Sequence, residues 1–179
     1  MNLISGLRDL QQKIREIGLG MSTLALPAPK LLLLPYDDGS SKEEILFSQI
    51  VTEAEISDVS RDLFESGFYN QAVSEAFKAL NKYIQEKSGK VDVSDTSLMN
   101  LVFSEKNPIL EWSKRTITSE KDEQKGYMFL FSGSFTGIRN PCSHEIDWID
   151  NHETALDAIL LAQHLLRKAR AASVRTQQI

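Results

Sequence analysis

Apolar side chains recur along most of this chain at helical rather than strand spacing. The clearest run is Tyr69, Ala72, Val73, Ala76, Phe77, Leu80, Tyr83 and Ile84, a continuous stripe at the 3.6-residue period. It predicts an amphipathic helix that ends at Gly89, with Ala72, Ala76 and Ala79 small enough for a neighbouring helix to approach closely. Upstream, Thr52-Glu53-Ala54-Glu55 has capping-box spacing, with Thr52 capping the first turn and Glu55 reaching back. Val51 and Ile56 suit the accompanying hydrophobic staple. Ile56, Val59, Leu63 and Phe64 mark one face of that helix, and Gly67 punctuates it. Downstream, Ser97 to Phe103 predicts a short helix closed off by Asn107-Pro108. A longer helix follows from about Ser119 to Ile138, with Tyr127, Leu130, Phe131, Ser134, Phe135 and Ile138 as its stripe. The last runs from about Asn151 to Ala172 and shows Leu156, Ile159, Leu160, Gln163, Leu166 and Arg170 on one face. Gly126, Gly133 and Gly137 each cost about 1 kcal/mol inside a helix, which points to close helix contact, a kink or functional geometry. For Gly137, an irregular helix end is sufficient.

The first 50 residues read differently. Leu3, Leu7, Leu10, Ile14 and Ile17 are helically spaced until Gly18 and Gly20. Pro27, Pro29 and Pro35 then break the pattern before the turn-like Asp37-Asp38-Gly39-Ser40-Ser41. Leu31 to Leu34 fits a short strand or an apolar strap equally well. The pattern therefore predicts two parts: an N-terminal helix plus Pro-rich connecting arm over 1–50, and a helical bundle over 51–175. The fold class is all-α, a bundle of four to five helices with an irregular N-terminal extension and little strand.

Composition sharpens this picture only in part. A chain of 179 residues with 41% hydrophobic and 25% charged side chains is an ordinary globular domain, not a disordered or fibrous one. Its one cysteine, Cys142, allows no intramolecular disulfide, which fits a reducing compartment. The longest apolar runs, Leu31 to Leu34 and Tyr127 to Phe131, fall far short of the roughly 20 residues of a spanning helix. Met1 to Leu10 lacks the pattern of a signal peptide. The expectation is a soluble cytoplasmic protein with no membrane partner. The net charge of −5 argues against a protein that coats nucleic acid. It is unevenly spread, however, with −8 over residues 51–157 and +4 over 158–179. Arg167, Lys168 and Arg170 suit the C-terminal end of a helix dipole, and equally suit RNA or phosphate binding.

One segment looks chemical: Gly137-Ile138-Arg139-Asn140-Pro141-Cys142-Ser143-His144-Glu145. Asn140-Pro141 reads as a turn or a helix start, because asparagine caps well and proline tolerates the first helical position. One helix ending near Gly137 and another starting at Pro141 would place Arg139 and His144 around a single corner. The plain alternative is a helix-junction anchor, with Arg139 paired to Glu145 or Asp147. Cys142 is not spaced as a triad nucleophile, and His144, Glu145, Asp147 and His152 match no known ligand spacing, so neither a thiol enzyme nor a metal site is expected.

Arg139, four residues and then His144, following a long helix in an all-α chain, resembles the R-x4-6-H motif of the HEPN superfamily. Several further segments are similar to an uncharacterised bacterial group within it, the Ymh-type proteins. These segments are Leu63-Phe64, Gly67-Phe68-Tyr69 with Ala72-Val73, Glu75-Ala76, Leu98-Met99 before Phe103, and Gly137-Ile138-Arg139-Asn140-Pro141 with His144. The resemblance covers roughly residues 55–170. It implies a metal-independent endoribonuclease of the toxin or abortive-infection, phage-defence kind that needs no cofactor. Arg139, His144 and Asn140 would be the catalytic residues. The implied partners are a second copy of the chain, an RNA substrate, and an antitoxin or other protein. A non-catalytic helical dimer that binds nucleotide, nucleic acid or a protein partner is the alternative.

Overall fold

The computed structural model describes residues 47–175. The expected N-terminal helix and the proline-rich arm fall almost wholly outside them. Within them, α1 spans Ala54–Glu65, α2 Tyr69–Ser88, α3 Asp95–Val102, α4 Thr118–Ser134, α5 Asn140–His144 and α6 His152–Ala171, and a π-helical turn at Phe135–Arg139 joins α4 to α5. The architecture is the expected all-α bundle, with one more helix than expected because α5 is a separate single turn.

The central helix is α2. Its stripe is buried as the spacing requires: Ala72, Val73, Ala76, Phe77, Leu80 and Ile84 are all inaccessible to solvent. It packs mainly against α1 and α6, and Gly89 closes it in the left-handed region at φ 69°. The α1–α2 connection is a Schellman turn. Phe68 N–H donates to the Leu63 carbonyl at 2.8 Å, Gly67 N–H donates to the Phe64 carbonyl at 3.0 Å, and Gly67 sits at φ 80°. A second core layer is aromatic, with Phe103 stacked on Phe131 at 4.2 Å and on Trp112 at 5.2 Å. Leu110–Glu111 (β1) pairs antiparallel with Ser173–Val174 (β2), tying the chain that follows α6 to the loop before α4.

Three local expectations are corrected. The capping box does not form. Helix α1 starts after Glu53 without a side-chain cap, and the Thr52 and Glu53 N–H groups donate to Gln163 Oε1 of α6 at 2.7 and 3.0 Å. The Thr52 hydroxyl instead accepts from Arg167 Nη2 at 2.6 Å, and Glu55 is drawn to Arg170. Among the described residues, the glycines of α4 and the π turn are not sites of close helix contact: a Cβ at Gly126, Gly133 or Gly137 would meet nothing within 4 Å. Finally, Val59 and Leu130, expected on apolar faces, are substantially exposed.

Candidate functional site

Arg139, Asn140 and His144 lie on an unbroken helical path rather than around a corner. Ser134, Phe135, Arg139 and Asn140 all have right-handed helical dihedrals, and the chain leaves helix only at Glu145. The physical reason lies at Pro141. Proline has no N–H to donate, and in a regular helix its ring presses on the carbonyl four residues back, here that of Gly137. The chain accommodates it by widening one turn. Asn140 N–H donates to the Phe135 carbonyl, five residues back, and the α-helical pattern resumes with Glu145 N–H on the Pro141 carbonyl at 2.9 Å. Asn140 is therefore not a cap. It also holds the α conformation that a following proline disfavours, so surrounding contacts must fix it.

Helix α2 supplies those contacts through a polar seam. Asn70 and Ser74 are buried in an otherwise apolar helix. Asn70 Nδ2 donates to the carbonyls of Cys142 and Glu145 at 2.9 and 2.8 Å, satisfying groups left open where α5 ends. Ser74 and Ser143 share a hydroxyl–hydroxyl bond of 3.2 Å, and Ser143 Oγ donates to the Arg139 carbonyl at 3.0 Å. Sequence reasoning missed this seam. The available signal was polar residues at Asn70, Ser74 and Asn81, close to one line on the helix that is otherwise the most regularly apolar.

The Arg139 side chain is four-fifths buried and reaches α3, with Nη1 3.3 Å from Asp95 Oδ2. The same nitrogen donates to Asn140 Oδ1 at 3.3 Å. Arg139 Nε is buried with no hydrogen-bond partner. Asp95, not Glu145 or Asp147, is thus the acid that anchors the arginine. His144 ends α5 and is exposed, and no hydrogen bond joins it to Arg139 or Asn140. Five residues of helix put the two side chains about 7.5 Å apart along the axis and about 140° apart around it. The structure therefore joins Arg139 to Asn140 and leaves His144 separate on the same element.

Cys142 faces the core, and burial pushes its thiol up to about 11, a poor setting for a nucleophile. Arg167, Lys168 and Arg170 lie elsewhere, near the end of α6, and each is paired. Arg167 and Arg170 hold Glu53 at 2.6 and 2.5 Å, Arg170 also holds Glu55 at 2.8 Å, and Lys168 pairs with Glu123 while lying over the rings of Trp112 and Tyr127. These cations anchor α6 to α1 and α4. The π turn also borders an apolar groove of about 470 Å³ lined by Gly137, Ile138, Trp148, Ile149, Asp157 and Leu161.

Residues 51–169 match the family described as "Protein of unknown function (Hypoth_ymh)". The chain belongs to this family. The Hypoth_ymh match takes in all six helices except the last residues of α6, and with them Arg139, Asn140, His144 and the α2 seam. No curated protein and no solved structure matches the chain. No helix among the described residues is long and apolar enough to cross a membrane.

Proposed function

We propose that this member of the Hypoth_ymh family is a metal-independent endoribonuclease of HEPN type, a toxin or phage-defence effector working in the cytoplasm. The observation that carries the reading is the state of Arg139. A permanently charged guanidinium is fixed from one nitrogen by Asp95 and Asn140, while its buried Nε has no acceptor. A planar, permanently charged fork held in place by its neighbours suits a phosphodiester. RNA carries its own nucleophile. The 2′-oxygen attacks phosphorus, the bond to the 5′-oxygen breaks, and the products are a 2′,3′-cyclic phosphate and a 5′-hydroxyl. Arg139 would neutralise the charge that builds on the phosphorane. His144 would take the 2′ proton or give one to the 5′-oxygen, since imidazole titrates near neutrality. Asn140 would hold Arg139 in register.

One chain offers one histidine at this site, whereas the reaction uses a base and an acid. A homodimer that brings two Arg139–His144 sets into one cleft supplies both. The exposed face of α4 supports such a pairing: Leu130 and Phe129 are about half exposed, and Gly126 and Gly133 leave room for a neighbour. A protein antitoxin covering the cleft would silence it.

The test is RNA cleavage by purified protein, with the ends of the products analysed. Wild type should yield 2′,3′-cyclic phosphates. Arg139→Ala and His144→Ala should each lose at least about 100-fold in rate while remaining folded. Absence of cleavage by wild type, together with absence of His144-dependent growth arrest on expression, overturns the reading. A second reading draws on the lack of any orienting partner for His144 among the described residues. In it, the site is a non-catalytic dimer surface for nucleotide, nucleic acid or a protein partner, and it gives binding without cleavage.

A further inference from the structure

Asp95 stands out in the backbone. It opens α3 in the left-handed region at φ 56°, a conformation that non-glycine residues adopt sparingly, although aspartate tolerates it better than most. Local strain of this kind persists only where surrounding groups fix it. Asn81 of α2 does so, accepting the Asp95 N–H on Oδ1 at 2.7 Å. The carboxylate is thereby aimed at Arg139, and Oδ2 lies 3.3 Å from Nη1. Three elements are linked in series: α2 through Asn81, α3 through Asp95, and the π turn through Arg139.

We propose that Asp95, held by Asn81, is the positioning residue that aims Arg139 at the scissile phosphate. The inference rests on the endoribonuclease reading above. The geometry separates positioning from competition. A carboxylate standing in for phosphate would lie across two guanidinium nitrogens in bidentate fashion. Asp95 instead reaches Nη1 alone, on the nitrogen that Asn140 also uses, and leaves Nε with no acceptor. Nη1 is the tether, and with Nε sealed from solvent the phosphate is met by the part of the guanidinium that remains exposed. A flexible arginine without its tether would still attract RNA but would meet the phosphate in many orientations. The cost then falls on turnover rather than on binding.

The experiment compares wild type, Asp95→Asn and Asp95→Ala in steady-state RNA cleavage, with thermal unfolding measured on the same samples. Asp95→Ala should lower kcat about 10-fold or more with KM within about twofold. Asp95→Asn keeps an acceptor and tolerates the left-handed backbone, so it should fall between the two, and it carries the test if the alanine variant does not fold. In parallel, the side-chain Nε–H resonance of Arg139 is followed by nitrogen-15 NMR while inorganic phosphate is added. Phosphate should shift a sharp signal in wild type and act on a broadened, less responsive one in the Asp95 variants. Wild-type kcat in the folded variants, or an Arg139 signal that responds to phosphate as in wild type, overturns the proposal. If wild type cleaves no RNA, the endoribonuclease reading fails by itself, and the NMR comparison still decides whether Asp95 positions Arg139 toward a phosphate.

Discussion

Gln163 is almost wholly buried, yet both ends of its amide are used. Oε1 accepts from the N–H groups of Thr52 and Glu53, and Nε2 donates to the Ile50 carbonyl at 2.9 Å. Leucine at this position has similar volume and no acceptor, so two N–H groups and one carbonyl would lose their partner. Gln163→Leu should therefore cost about 2–4 kcal/mol, because an unsatisfied buried polar group is penalised by its full desolvation. Urea unfolding reads this directly, and a loss under about 0.5 kcal/mol would show that water takes over the role. Cys142 allows a check of the opposite kind. With its thiol buried and its ionisation pushed up, it should resist an aromatic disulfide reagent at pH 8 in the native protein and react at once in denaturant. The residues that matter most at this scale were poorly legible in the sequence for one reason. Gln163, Asn70 and Ser74 find their partners dozens of residues away, and Asp95 reaches Arg139 from 44 residues away, so little in their own neighbourhood announces a task.

The start of α1 and the end of α6 are held together by charge. Glu53 lies between Arg167 and Arg170, and the side-chain hydrogen bonds from these two arginines hold its carboxyl below the usual range against the opposing effect of burial. A carboxyl lowered in the folded state adds stability at pH values above its unfolded pKa, and that stability is lost as pH falls through the folded value. The thermal midpoint should therefore drop on acidification below about pH 4.5, and Glu53→Gln should be less stable at pH 7 while showing a shallower acid decline. Equal acid slopes in the two proteins would remove Glu53 from this role. Elements of this kind were legible wherever periodicity sufficed. The stripes of α2 and α6 and the cap at Gly89 follow directly from apolar spacing and a glycine. The stretch from Phe135 to His144 did not. Asn140-Pro141 carries the local signature of a helix start, and local signature lost to tertiary packing: the bonds from Asn70 and Ser74 hold α5 in line, and a π turn absorbs the proline.

At the scale of the whole molecule, the proposed nuclease activity would ask an acidic chain to handle a polyanion, which requires its positive charge to be concentrated rather than spread. Arg167, Lys168 and Arg170 near the C-terminal end are neutralised by Glu53, Glu55 and Glu123. Arg139, like Arg115, has one carboxylate partner and a buried Nε without an acceptor. One Arg139 per chain is a thin basis for binding RNA, and doubling it through a symmetric dimer is the economical remedy. The face available for that purpose is the exposed side of α4, where Gly126, Leu130 and Gly133 share one line and Phe129 lies beside it. A helix from a second copy can lie close against glycines whose Cβ positions are open, and half-exposed Leu130 and Phe129 would gain burial there. Leu130→Glu puts two like charges across the twofold axis without touching the core, since Leu130 is 50% exposed. It should convert a dimer to a monomer in light scattering, leave helical content and thermal midpoint nearly unchanged, and abolish RNA cleavage together with the dimer. A variant that stays dimeric would place the interface elsewhere. A monomeric variant that cleaves RNA at the wild-type rate would show that one Arg139–His144 set suffices, and the composite cleft would have to be abandoned.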